Sequence, residues 1–342
     1  MNPVLPSYQF LPAPLWLIDT LHILTLTLHL AAMGLLFGGV MVFFFGRAAD
    51  RWDSAVVPLI RKSFPTLMAA TITLGIAPLL FVQLVFPQPI YSASIVSGWF
   101  WLLIIAALIV AYYCLYAAGF SKSAAPCGKY LAVALLGMVY VSLVYSSVFS
   151  LAERPDTTKA LYAANQAGLA FHADHAHWLL RWMHMISGIL AIGGFFIRLA
   201  GQKDPKASEA GRRFFLGGMI LAIVFGCAYL LVPAGVFQAV RGGPALWTLT
   251  LAVLLALAAM HLSRNRSPLW AGLFLFLSML GMVATRHFVR LALLEKHFRP
   301  DSVPVSPQWV VFGLFLVCFV LALGTLYYMT ALFFRATKAT SK

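Results

Sequence analysis

Residues 21–30 read "LHILTLTLHL", an apolar run that carries two histidines seven positions apart. The rest of the run is leucine, isoleucine and threonine, with no charge and no helix breaker. Seven residues of α-helix turn about 700° and rise about 10.5 Å, so His22 and His29 share one face at two depths. The apolar stretch extends over 20–46, longer than the roughly 20 residues that a bilayer core requires. An ionisable ring inside such a segment is unfavourable unless it has a partner, which makes both histidines candidates for function.

The rest of the chain has the same character. Of its 342 residues, 62% are hydrophobic and 10% charged, and the mean hydropathy is +0.89. Soluble domains are about half apolar and a quarter charged, so an all-α polytopic membrane protein is expected. Eight further stretches reach spanning length, at 63–87, 97–120, 129–151, 175–199, 213–238, 244–262, 268–290 and 309–334. With the first they predict nine spans. No basic stretch followed by a short apolar core and a small-residue cleavage site opens the chain, so its start reads as mature protein. Arg47, Arg51, Arg61 and Lys62 follow the first span, and the later alternate loops and the tail bring that side to 16 of the 24 basic residues. The bias predicts a cytoplasmic C-terminus and an outer N-terminus in a bacterial-type inner (plasma) membrane.

Net charge is +14 but is spread over short loops, which excludes the single basic face that nucleic-acid binding requires. Cys114, Cys127, Cys227 and Cys318 form no CxxC or CxxCH, so neither covalently attached c-type haem nor a thiolate metal site is expected. No helix-3 carboxylate and no acid within a span is found, and no phosphate loop, His-Glu-x-x-His or nucleophile constellation supports hydrolytic chemistry.

An internal repeat organises the chain. Asp19, His22, His29 and Gly38-Gly39 return 155 positions later as Asp174, His177, His184 and Gly193-Gly194. Phe64, Gly75, Leu79 and Leu80 return 151 positions later as Phe215, Gly226, Leu230 and Leu231, and Leu136-Gly137-Met138-Val139 returns as Leu280-Gly281-Met282-Val283. The reading is a first four-helix bundle over 1–151, an outer connection over 152–174 with room for a short surface helix, and a second bundle over 175–290. Residues 291–342 add an outer loop, a peripheral ninth helix and a cytoplasmic tail. An even number of spans per repeat makes the two bundles parallel, related by an axis along the membrane normal.

The chemistry follows from the repeat. Each histidine pair begins three residues after an aspartate that reads as a helix N-cap. Neutral imidazole ligates haem iron, and helix bundles build such sites from facing helices. His29 and His184, the deeper pair, are the principal expected ligands, with His22, His177 and His287 next. His22 and His177 lie near enough to the interface to be simply solvated. His172 and His175 read as loop or cap residues, and His261 as interfacial. Arg181, Arg286 and Arg290 present forks that suit haem propionates or a quinone headgroup. The alternative for Arg286 and Arg290 is snorkelling to outer headgroups.

The stretches "LHILTLTLHLAAMGLLFGG" (21–39), "RKSFPTLMAATITLGIAPLLFVQ" (61–83) and "HWLLRWMHMISGILAIGG" (177–194) resemble subunit I of the cytochrome bd quinol oxidases over the first two-thirds of the chain. The resemblance implies two four-helix bundles plus a peripheral helix, and haem-ligand histidines near the outer ends of helices 1 and 5. The chain departs from that pattern in three places. The helix-3 glutamates have no counterpart, the long outer quinol loop shrinks to "PAGVFQAVRGGPALW" (233–247), and Met260 sits at the wrong end of helix 7 to be the methionine ligand. Oxygen reduction therefore lacks its expected groups, while haem b, one or two per chain, and quinone remain.

The expectation is a b-type cytochrome of a respiratory chain, a possible subunit of a quinol-dependent oxidoreductase. Its partners would be the lipid bilayer, the quinone pool and an outer redox protein such as a c-type cytochrome. Two alternatives stand beside it: a haem-free quinone-binding anchor of a redox complex, and a metal permease whose histidines bind copper or zinc.

Overall fold

The computed structural model of the chain describes residues 10–50, 52, 56–121, 124–172, 174–264 and 268–340. Every regular element among them is helical. The α-helices are α1 (Leu15–Met33), α2 (Gly39–Asp50), α3 (Val56–Val85), α4 (Pro87–Val96), α5 (Gly98–Phe120), α6 (Ala124–Leu151) and α7 (Pro155–Ala164). They continue with α8 (His175–Ala200), α9 (Pro205–Leu231), α10 (Val236–Arg241), α11 (Pro244–Arg264), α12 (Pro268–Leu294) and α13 (Trp309–Thr340). A π-helical turn, Gly34–Gly38, joins α1 to α2. Among the described residues, eight helices are long and apolar enough to cross a membrane, and α1 with α2 forms the first of them over Leu15–Ala49. These make the chain a helical polytopic membrane protein. The stretch expected to be a ninth span forms α13.

Prolines set several of the starts. Pro87, Pro155 and Pro205 each open a helix at the position where a missing N–H is harmless. Two aspartates cap: Asp174 accepts the His177 N–H at 3.2 Å, and Asp204 accepts from Lys206 and Ala207. The expectation of an Asp19 cap is corrected. Helix α1 begins at Leu15, with the N–H groups of Leu17 and Ile18 on the Pro14 carbonyl, so Asp19 lies within the helix. The surface helix expected between 152 and 174 is α7, and the sixth span ends at Leu231 rather than 238.

Within residues 19–299 the helices meet through small residues, as bilayer helices do without a water-driven force between them. A Cβ on Gly38 would lie 2.0 Å from the Ile189 carbonyl oxygen, and one on Gly193 would lie 2.0 Å from the Gly38 carbonyl carbon. The π-helical turn and α8 thus touch backbone to backbone at two glycines that correspond in the repeat. Gly194 and Gly211 bring α8 and α9 together in the same way. Around this crossing Leu36, Phe37, Val40, Phe43, Phe64, Met68 and Ile189 form the main core. Leu102, Leu103, Ile105 and Ile109 of α5 and Leu251, Leu254 and Leu257 of α11 are exposed, an apolar surface suited to lipid.

Residues 10–18 and 300–340 form a separate unit. In it Leu11 donates to Pro304 and accepts from Ser306, and Gln308 donates to Pro12 as α13 begins.

Candidate functional site

The deeper histidines of the repeat sit in matching surroundings. His29 Nδ1 is 3.0 Å from the Thr71 carbonyl of α3, and His184 Nδ1 is 2.8 Å from the Ala222 carbonyl of α9. Thr71 and Ala222 correspond at the 151-residue offset of that helix pair. One turn on, Gly75 and Gly226 leave room for the rings: a Cβ would lie 2.8 Å from His29 Cε1 and 2.9 Å from His184 Nδ1. Any side chain on those glycines would occupy the imidazole's place. Burial and that one carbonyl are what act on each ring.

A carbonyl oxygen only accepts, so the proton of each neutral ring lies on Nδ1 and the lone pair on Nε2. That is the tautomer in which histidine ligates iron through Nε2, with the carbonyl orienting the ring from behind. His22 follows the same rule, with Nδ1 3.2 Å from the Pro78 carbonyl. The donor set therefore fits haem iron.

The end of the molecule where α8 begins, here called upper, is built differently. Glu153 follows the last turn of α6, and its side chain is fully buried. Arg286 of α12 grips both of its carboxylate oxygens and also donates to the Tyr229 hydroxyl at 3.2 Å. Arg290 Nε reaches Glu153 at 3.3 Å while its guanidinium stacks over Phe86 and Phe149. Arg181 of α8 lies 3.6 Å from Glu153 and donates to the Ser146 carbonyl. Burial pushes the Glu153 carboxyl upward, but Arg286, Arg181 and Arg290 together outweigh it and hold the pKa at about 2.

Histidines surround this cluster. His177 stands 5.8 Å, ring to ring, from Tyr229 and stacks on His172 at 5.9 Å. His22 and His287 pair at 6.2 Å, and His287 Nε2 lies 3.5 Å from Asp19. His172 Nδ1 accepts the Asp174 N–H at 3.0 Å, which places its proton on Nε2 and makes it a donor there. Burial holds the His172 pKa down at about 4, partly offset by Asp174 and reinforced by Arg154 and Arg181. A cleft opens beside Glu153, lined by Arg154, Asp156, Thr157, Leu293 and His297.

Among the described residues, the buried polar atoms of this end without a hydrogen-bond partner include both ring nitrogens of His177, His172 Nε2, His287 Nδ1, Arg290 Nη1 and Asp19 Oδ1. Buried groups of this kind are ordinarily satisfied, so their concentration marks a place where a ligand or water belongs.

All eight residues singled out in the sequence thus fall into two tiers. His29 and His184 make up the lower, and His22, His177, His287, Arg181, Arg286 and Arg290 the upper. Among the described residues, no three His, Cys, Asp or Glu side chains converge to hold a metal ion. His175 opens α8 and His261 lies near the end of α11, outside both tiers. Two members escaped the sequence reading. Glu153 lies just beyond a span and reads as a solvated loop acid, and His172 reads as a loop residue, yet both are buried. The signal for Glu153 was the demand of three arginines, in a chain with ten acids, for a counter-ion. Compared with known proteins, the chain matches no protein-family model and no curated sequence.

Proposed function

We propose that the chain is a membrane-embedded b-type cytochrome of a respiratory chain, passing electrons between the quinone pool and a redox partner, such as a c-type cytochrome, on the outer side. The proposed architecture has nine spans in two parallel four-helix bundles plus a peripheral helix, with the upper tier at the outer face of a bacterial-type inner membrane. The observation that carries the function is the duplicated lower-tier arrangement: histidine, carbonyl behind it, glycine beneath it, twice in one chain. Two independent sites would have no physical reason to repeat the same tautomer and the same glycine.

In this reading His29 and His184 present Nε2 to iron, and His22 and His177 are the next ligands in line. Thr71 and Ala222 hold the ring planes. Arg181 and Arg286 are held by Glu153 and its neighbours, and Arg290 would offer its unpartnered Nη1 to a carboxylate of the porphyrin or to a quinone oxygen. Bound haem supplies reversible one-electron transfer, which none of these side chains supplies alone. The apolar surroundings keep water from the lower rings.

A haem-free quinone-binding anchor is the second reading, favoured by the unpartnered donors of the upper tier. Purified protein, expressed with haem supplied, separates the two by its haem content from the pyridine haemochrome spectrum, read beside its iron content. At least one haem b per chain is the expected result. Iron-free protein with bound quinone would establish the anchor instead.

A further inference from the structure

The upper cluster is not electrically balanced. Arg181, Arg286 and Arg290 contribute three positive charges within reach of a single carboxylate, Glu153, a local balance of +2. Asp19 acts on Arg290 from farther away and brings the balance to +1. Arg154 does not alter this sum, because Asp174 neutralises it at 2.7 Å. The side chains are withdrawn from water: Arg290 is 6% exposed, Arg181 13%, Arg286 20% and Glu153 0%. Solvent therefore screens this charge weakly, and it acts on whatever lies beside it.

What lies beside it is the upper histidine tier. Arg286 shares Tyr229 with His177, and Arg290 acts electrostatically on His22. Among the described residues the lower tier has no such neighbour, only burial and a carbonyl at each ring. Charge is thus placed at one depth and left out at the other.

We propose that the Glu153–Arg181–Arg286–Arg290 cluster is a potential-setting device: its net positive charge raises the reduction potential of haem held at the upper histidines. The inference rests on the b-type cytochrome reading. Haem held there would take up one electron from the quinol pool, which is oxidised in turn, and a fixed positive charge nearby would favour the reduced form over the oxidised one. Glu153 tempers the effect and keeps three guanidiniums in a single geometry. It stays ionised at any working pH, since its arginines hold its pKa at about 2. The electron-accepting tier is then the one nearest the outer face, where a partner protein docks.

The test is a spectroelectrochemical titration of the b-type band in the purified holoprotein, with dithionite as reductant and mediators present. It compares wild type, Glu153→Gln, Arg290→Gln, Arg290→Lys and the double variant Glu153→Gln/Arg290→Gln. Removing the negative charge should shift a b-type component to more positive potential, and removing a positive charge should shift it to more negative potential. Arg290→Lys, which keeps the charge, should stay close to wild type. The double variant restores the original balance and should return most of the way. It also guards the test if Glu153→Gln alone, with three unneutralised arginines, fails to fold. Potentials that do not follow charge, with haem retained, would overturn this inference and leave the cytochrome reading intact. Wild-type protein without a reducible b-type band would overturn both.

Discussion

The two histidine tiers solve one problem in opposite ways. In the lower tier, His29 and His184 are each satisfied by a single backbone carbonyl and seated on a glycine. In the upper tier, His22, His177 and His287 stand around a buried carboxylate gripped by three arginines, with several buried polar atoms, both ring nitrogens of His177 among them, left unpartnered. The lower tier is complete apart from one lone pair per ring, while the upper tier is charged and incomplete. Minimal polarity fixes a ligand tautomer in an apolar medium, and surplus polarity sets an electrostatic environment. The proposed electron carrier would need both.

The sharpest way to break the upper tier is to remove its counter-ion. Glu153→Ala leaves three arginines in a buried site without their carboxylate, and breaking a buried ion pair of this kind destabilises by about 3–5 kcal/mol. Thermal unfolding of the detergent-solubilised protein should show a large fall in Tm, and Glu153→Asp a smaller one. A Tm unchanged in Glu153→Ala would mean that the cluster is solvated.

The lower tier should break through its glycines. In Gly75→Ala or Gly226→Ala the new methyl group would lie under 3 Å from the ring of His29 or His184. Overpacking of that order costs about 1–3 kcal/mol, and the displaced ring should weaken or shift the b-type band. The two variants should behave alike, because the two sites do. If one glycine tolerates alanine and the other does not, the equivalence of the halves fails.

The smallest effect is the response to pH, and it belongs to the upper tier. His172 is held at about 4 against an ordinary 6.5. Its contribution to stability is therefore complete above about 6.5 and falls away as pH drops toward 4, where the folded form at last takes up the proton. Glu153, held at about 2 against 4.5, contributes fully above about 4.5 and loses that contribution as pH falls toward 2. Tm measured against pH should decline gradually on the acid side in two overlapping stages. His172→Phe should shrink the upper stage and leave the lower unchanged.

Much of the architecture was legible in the sequence, because spanning segments announce themselves as apolar runs of fixed minimum length. The repeat identified which histidines correspond, and the structure gives His29 and His184 corresponding partners. Other features depend on packing that the residue string does not display. Asp19 reads as a cap because it precedes the histidine pair as Asp174 does, but α1 starts farther upstream, on the Pro14 carbonyl. The π-helical turn at Gly34–Gly38 leaves no mark in hydropathy. Glu153 is two residues past a helix end, where an acid is ordinarily solvated; three arginines from two distant helices draw it inside. His172 is buried by the same gathering, its carbonyl taking the Trp178 indole N–H at 3.1 Å.

The central claim is that His29 and His184 hold iron in equivalent sites. The reduced-minus-oxidised difference spectrum of purified wild type, beside that of the His29→Ala/His184→Ala double variant, tests it most directly. The account predicts a b-type α-band in the wild type and a clearly lower one in the double variant, any remainder belonging to the upper histidines, from protein that still purifies as a folded species. A band of equal height in both would contradict it.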